Sequence, residues 1–351
     1  MFYREEDPPV SLREPSPLLR RGDTLNVPPG SPSGCRAAGI FRWKGKRFAM
    51  IESILVEGLI YGIMVLGVFI SFRVLDFPDL TVDGSFPLGA ALMVQCLLMG
   101  MNGWLALLVA FTGGVIAGVV TAVIHNQLRV PNLLAGILTM TMLYSINIRI
   151  LGDRANVPIL KHETILTQVT EKFTGIIPDD YILLVFFLLV ALTVKVLLDI
   201  FFRTDLGMTM GAMGNNEQMV ISQGVNPKTL KTIGVGLSNG LVAISGAFAA
   251  QYLGFADVGL GQGIIVSGLA SVMIGEFLVL KSNRIGVLTL CALAGSICFY
   301  AVMYAGRYYG YLIHMTPSDL NLIKGVLIIV LLILTQFKKF KKAAFKSVVA
   351  K

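Results

Sequence analysis

YILLVFFLLVALTVKVLLDIFFRTDLGMTMGAMGNNEQMVISQGVNPK, residues 181–228, passes from an apolar run directly into the longest polar loop of the chain. In residues 181–202 only Lys195 and Asp199 are charged. They stand four apart, so on a helix they neutralise each other and snorkel. The run meets the length of about 20 mainly apolar residues that a bilayer-crossing helix needs. In the loop that follows, Asn215 or Asn216 suits a helix N-cap, Glu217 the positive end of the dipole, and Gly224 a left-handed position after the last turn. The spacing predicts a helix of two turns, too short to be stable alone in water. Its Met219, Val220 and Ile221 face therefore needs something to pack against, and a groove on another protein is the natural partner. The competing reading, a helix lying on lipid headgroups, lacks the Lys-rich polar face such helices use.

The pattern repeats outward from this stretch. Of 351 residues 55% are hydrophobic and 14% charged, against about 25% charged in a soluble domain. Nine segments qualify as spans: 51–72, 84–101, 103–124, 132–151, 181–202, 231–252, 262–280, 285–305 and 318–337. The expected fold is an all-α polytopic membrane bundle of nine or ten helices over residues 50–337. The net charge of +8 does not indicate nucleic acid, because residues 1–49 hold nine Arg/Lys and residues 337–351 hold six, while the part between has fourteen basic and sixteen acidic residues. The lysine-rich tail 338–351 is expected in the cytoplasm, and the 203–231 loop falls on the same side. The loops near 152–180 and 253–261 fall outside, where Gly259, Gly261 and Gly263 suggest a loop near a pore mouth.

Residues 1–49 carry seven of the fourteen prolines and read as a disordered extension without a secretory h-region. Five spans before the 203 loop would place this basic stretch outside. Either 1–49 is foreign to the natural protein, Met50 standing directly before the first span, or residues 72–101 make an extra broken passage, the preferred reading. Pro78 and Gly84 break a helix there, and irregular backbone at membrane depth persists only where protein or a wet cavity surrounds it.

That break holds Asp76, Asp79, Thr81, Asp83 and Ser85. Carboxylates at this depth face a bundle interior or a cavity, so the cluster lines or gates a path, or else makes a polar turn that caps the next helix. Asn147, Gln251 and Glu276 are further candidates for the path, or for hydrogen bonds between helices. Gly114, Gly118, Gly236, Gly240, Ser245, Gly246 and Ala249 offer faces for close helix packing. Cys35, Cys96, Cys291 and Cys298 form no CxxC pair, and no HExxH or G-x-x-x-x-G-K-[ST] motif occurs. ATP hydrolysis and zinc chemistry therefore lack their residues.

Gly211–Lys228, Lys231–Gly246 and Ser267–Glu276 resemble the permeases of branched-chain amino-acid and ribose type ABC importers. The stretches 72–89 and 130–143 resemble a less characterised subgroup, some members of which are linked to aromatic amino acids. The resemblance covers about 50–337 and implies a type II importer permease in the bacterial inner membrane, a homodimer around a central path. It also implies an ATPase subunit that holds ATP and Mg, an extracytoplasmic binding protein, and no cofactor on this chain. A coupling helix would comprise Asn215, Asn216, Glu217, Gln218, Met219, Ile221, Gly224 and Val225. The rival reading is an H⁺- or Na⁺-coupled carrier. Such proteins pair broken helices in both halves of the bundle, and only the first half shows one in the sequence.

Overall fold

The computed structural model describes residues 32–159, 162–175, 178–278, 285–312, 322–330 and 333. The chain divides into two units, residues 1–46 and 47–351. Helix α1 (Pro32–Val68) begins at Pro32, so residues 32–49 are helical where a disordered extension is expected. No further proline follows until Pro78, and Ala, Arg and Lys between 36 and 49 favour a helix.

In the second unit follow α2 (Val82–Leu98), α3 (Gly103–Leu128), α4 (Asn132–Ile150), β1 (Asn156–Pro158), α5 (Ile165–Phe173), α6 (Asp179–Arg203), α7 (Asp205–Asn215), α8 (Glu217–Ser222), α9 (Pro227–Leu253), β2 (Phe255–Asp257), α10 (Ile264–Leu278) and α11 (Ile285–Leu312). Seven segments among the described residues are long and apolar enough to cross a membrane, and α2 is a shorter apolar helix. Residues 322–330, the described part of the ninth segment, are helical. The Lys281/Arg284 turn and the lysine-rich tail lie outside the described residues.

Helix α9 forms the centre. Ser238, Asn239, Ser245, Ala247 and Phe248 are buried, whereas α6 leaves Leu188, Leu189, Leu192, Leu197 and Ile200 exposed, as a lipid-facing helix does. The small-residue seams read from the sequence meet here: Gly114 and Gly118 of α3 pack on Asn239, Gly240 and Gly236 of α9. Gly89 of α2 lies against the backbone of Ala243 with no room for a Cβ. Gly89→Ala is expected to lower stability by about 1–3 kcal/mol through overpacking. Gly211→Ala, where a new methyl meets nothing within 4 Å, is expected to be neutral or better. Thermal unfolding of the two variants in detergent checks the contrast.

Cross-bundle contacts define two ends. At one, Arg73 pairs with Glu276 at 2.5 Å, Phe77 packs edge-on against His125, and Glu217 of α8 pairs with Lys231 at 2.9 Å. At the other, Glu57 pairs with Arg307 at 2.5 Å, and the two loops predicted to share a side join as antiparallel β1–β2, with Asn156 opposite Asp257. Met50 lies beyond Glu57 in α1 and so belongs to this second end. The break near residue 78 is present but adds no crossing: the chain reaches the α8 end at Arg73, climbs back through residues 75–81 and continues as α2. The preferred extra passage is thus corrected. Its irregular part and the 17-residue α2 together make one crossing, because a helix of that length spans only about 25 Å of the roughly 30 Å apolar layer.

Candidate functional site

The first break is built from local chemistry. After α1 the backbone widens into a π-helical turn, Phe69–Val74, and Asp76 takes a left-handed conformation with φ 49°, which Asp tolerates better than most residues. Pro78 cannot donate to a helix. The Asp79 carboxylate replaces the missing bonds: one oxygen accepts from the Thr81 N–H at 2.9 Å and the other from Asn239 Nδ2 at 2.6 Å. Asn239 Oδ1 in turn accepts from the Ser85 hydroxyl at 2.6 Å, and the Thr81 and Thr121 hydroxyls share a bond of 2.7 Å. Asp79, Thr81, Ser85 and Asn239 are all fully buried. Their polar atoms are occupied by one another, so these residues hold the break against α9.

Asp83 differs. It stands in the first turn of α2 beside Ser85, whose partner Asn239 is the thirteenth of the 27 residues of α9, about halfway through the bundle. Its carboxylate accepts from the backbone N–H groups of Gly263 (3.2 Å) and Ile265 (2.9 Å), the N-terminus of α10. That helix has 15 residues, about 22 Å. It runs from mid-depth to the α8 end, where Glu276 meets Arg73. The segment 258–263, expected as an outer loop, therefore folds inward as a 3₁₀ turn, Val258–Gly261, with Gly261 pressed on the Asp83 carbonyl and the Pro87 ring. Both halves of the bundle are broken, and the two helix starts meet at Asp83. An anionic side chain there is favoured by the helix dipole and the free N–H groups.

A cavity of about 430 Å³ opens beside this junction, lined among others by Asp83, Tyr144, Asn147 and Gln262. Asn147 is fully buried. Its Nδ2 donates to the Gly84 carbonyl at 3.2 Å, while its Oδ1 has no partner among the described residues. A buried acceptor left open costs about 1–3 kcal/mol, which makes this wall ready for a donor. The other sequence candidates lie elsewhere. Asp76 sits at the α8 end beside Glu217 and Lys231, Glu276 is tied to Arg73, and Gln251 Oε1 accepts from the Ile165 N–H at 2.9 Å, fastening α5. Sequence reasoning passed over Asn239, a polar residue between Gly236 and Gly240 in an apolar helix, and Gln262 in the glycine-rich turn.

At the α8 end the short helix forms as its caps predict. Asn216 Oδ1 accepts from the Met219 N–H at 3.2 Å, and Gly224 has φ 81°. Val220 is buried, but Met219 and Ile221 are 51% and 52% exposed. Asn215 and Gln218 are also exposed, and Val225 is half-buried. A further helix precedes it: α7 is capped by Thr204, whose hydroxyl accepts from the Gly207 N–H at 3.3 Å.

Residues 50–335 match the family described as the permease component of the branched-chain amino acid transport system. The chain is 39% identical over 282 residues to a tyrosine transport system permease protein of Clostridioides difficile (strain R20291), covering 80% of this chain and 90% of the relative. It is 31% identical to an uncharacterised protein of Rickettsia prowazekii (strain Madrid E), over 79% and 94% of the two chains. It is 25% identical to a fructose import permease of Bifidobacterium longum (strain NCC 2705), over 56% of this chain and 54% of the relative. With its multi-pass helical bundle, this chain belongs to the ABC transporter permeases of the branched-chain amino acid family.

Proposed function

We propose that this permease works as a homodimer in a bacterial inner membrane, passing an amino acid inward from an extracytoplasmic binding protein while a separate ATPase holds ATP and Mg. In this reading α8 and the C-terminus face the cytoplasm. The observation that carries it is α8: a capped helix of six residues that buries Val220 and turns Met219 and Ile221 outward, with nothing among the described residues to cover them. Closure of the ATPase dimer moves this helix, and the packed bundle transmits the movement to the broken helices at Asp83. Asp83, Asn147 and Gln262 line the way that the solute takes.

The solute class rests on the relative with 39% identity that carries the name of a tyrosine system, whereas the fructose permease is only 25% identical. The test is uptake by proteoliposomes holding this chain, its neighbouring ATPase and its binding protein, offered labelled tyrosine, leucine and fructose. Uptake of an amino acid with fructose excluded is expected. Uptake of fructose alone would overturn the solute assignment.

A further inference from the structure

A second cavity, of about 330 Å³, lies at the end opposite α8 and holds Glu57, Tyr61, Gln262, Tyr300, Arg307 and Lys324 among its lining residues. It has no part in the sequence reading. Gln262 borders both this cavity and the one beside Asp83, so the two adjoin through the inward-folded turn before α10. Its volume falls in the range of roughly 300–1,000 Å³ usual for small-molecule sites.

Glu57, Arg307 and Lys324 line this cavity, and the Asp83 carboxylate of the adjoining cavity acts on Lys324 from beyond contact distance. Glu57 is engaged by Arg307 at 2.5 Å, and Lys324 has no carboxylate within ion-pair distance among the described residues. Lys324 sits half-buried in an apolar helical segment, where an ionisable group is costly and marks a functional place. Part of the wall is aromatic. Tyr61 stacks on Tyr300 with ring centres 4.4 Å apart and planes at 9°, and on its other side meets Phe86 at 5.7 Å. Rings packed in this way hold a fixed apolar wall, with the tyrosine edges and hydroxyls toward the cavity, at little conformational cost.

We propose that this cavity is a way station for a carboxylate-bearing solute with an aromatic or apolar body, its carboxylate paired with Lys324 and its body against Tyr61 and Tyr300. The proposal deepens the amino-acid reading above and rests on it for the direction of passage, but the binding chemistry stands on this cavity alone. A zwitterionic amino acid fits as well as a simple acid, because the Glu57–Arg307 pair supplies both signs at the rim. From here Gln262 leads toward Asp83 and Asn147.

The full chain in nanodiscs provides the test, by thermal shift with 4-hydroxyphenylacetate and with its neutral amide as probes. The acid is expected to raise the melting temperature in a concentration-dependent way, and the amide to bind about tenfold more weakly, the loss of one charge-assisted bond. Lys324→Gln is expected to bind acid and amide alike, and Lys324→Arg to keep the preference for the acid. Equal shifts by acid and amide on the unaltered protein, or an unchanged preference in Lys324→Gln, would overturn the proposal. Should Lys324→Gln itself fail to fold, competition by acid and amide against labelled tyrosine on the unaltered protein decides the matter, and equal competition overturns it. The uptake assay with tyrosine and fructose fails independently, since it reads the solute of the whole system and not this cavity.

Discussion

Met219→Asp combined with Ile221→Asp is expected to abolish recovery of the ATPase with the purified permease while leaving the bundle intact. Both side chains are about half exposed, so in the isolated chain the substitutions cost within about 0.5 kcal/mol. In a docked complex they would place two carboxylates in an apolar groove. Truncating a central anchor alone costs at least about 2 kcal/mol, or some thirtyfold in affinity. The pair is informative because each neighbour is worse: Val220 is buried, and Glu217 holds Lys231, so changing either would disturb α8 itself. Pull-down of the ATPase beside a melting curve of the permease separates the two effects. Normal ATPase recovery in the double variant would remove α8 from the coupling role.

The second large effect concerns the first break. Asn239→Leu removes the donor to one Asp79 oxygen and the acceptor of the Ser85 hydroxyl, leaving a fully buried carboxylate short of a partner. Leaving a buried acceptor without its donor costs about 1–3 kcal/mol, and more for a charged group, and here the break loses its tie to α9 as well. Asp79→Leu with Asn239→Leu is expected to recover part of that loss, since the uncompensated charge goes with its partner. Thermal or denaturant melting of the two singles and the double measures the coupling. Strictly additive losses would show that the two residues do not act on each other.

The contrast between the two breaks explains how far the sequence can be read. The first was legible because Pro78, Gly84 and three aspartates interrupt an apolar run, and each has a local reason to stop a helix. The second, at 258–263, is written in Val, Gly and Leu with a single Gln. Hydropathy cannot tell an apolar turn at mid-depth from a loop near the surface, and the capping carboxylate, Asp83, lies some 180 positions earlier in the chain. The same distance effect hid Asn239, which matters because of Asp79 in the first break, 160 positions earlier. Helix α8 was legible down to its caps, because Asn216, Glu217 and Gly224 act within one short segment. Asp76 and Glu276, grouped with the path by their charge, sit near the α8 end, for the sequence gives charge without depth. The Lys195–Asp199 pair forms as expected, but Thr289 of α11 also donates to Asp199 at 2.8 Å, a contact that only the fold supplies.

Two broken helices meeting at one carboxylate are also the plan of ion-coupled carriers. The Asp83 carboxylate, however, is taken up by the backbone of α10, and the family assignment spans residues 50–335. The energy source is therefore the most direct measurement: uptake of tyrosine by proteoliposomes containing permease, ATPase and binding protein, with ATP inside and all ion gradients dissipated by ionophores. Uptake that persists with ATP and stops with a non-hydrolysable analogue is the predicted result. Uptake that ignores the nucleotide and follows an imposed proton or sodium gradient would contradict it.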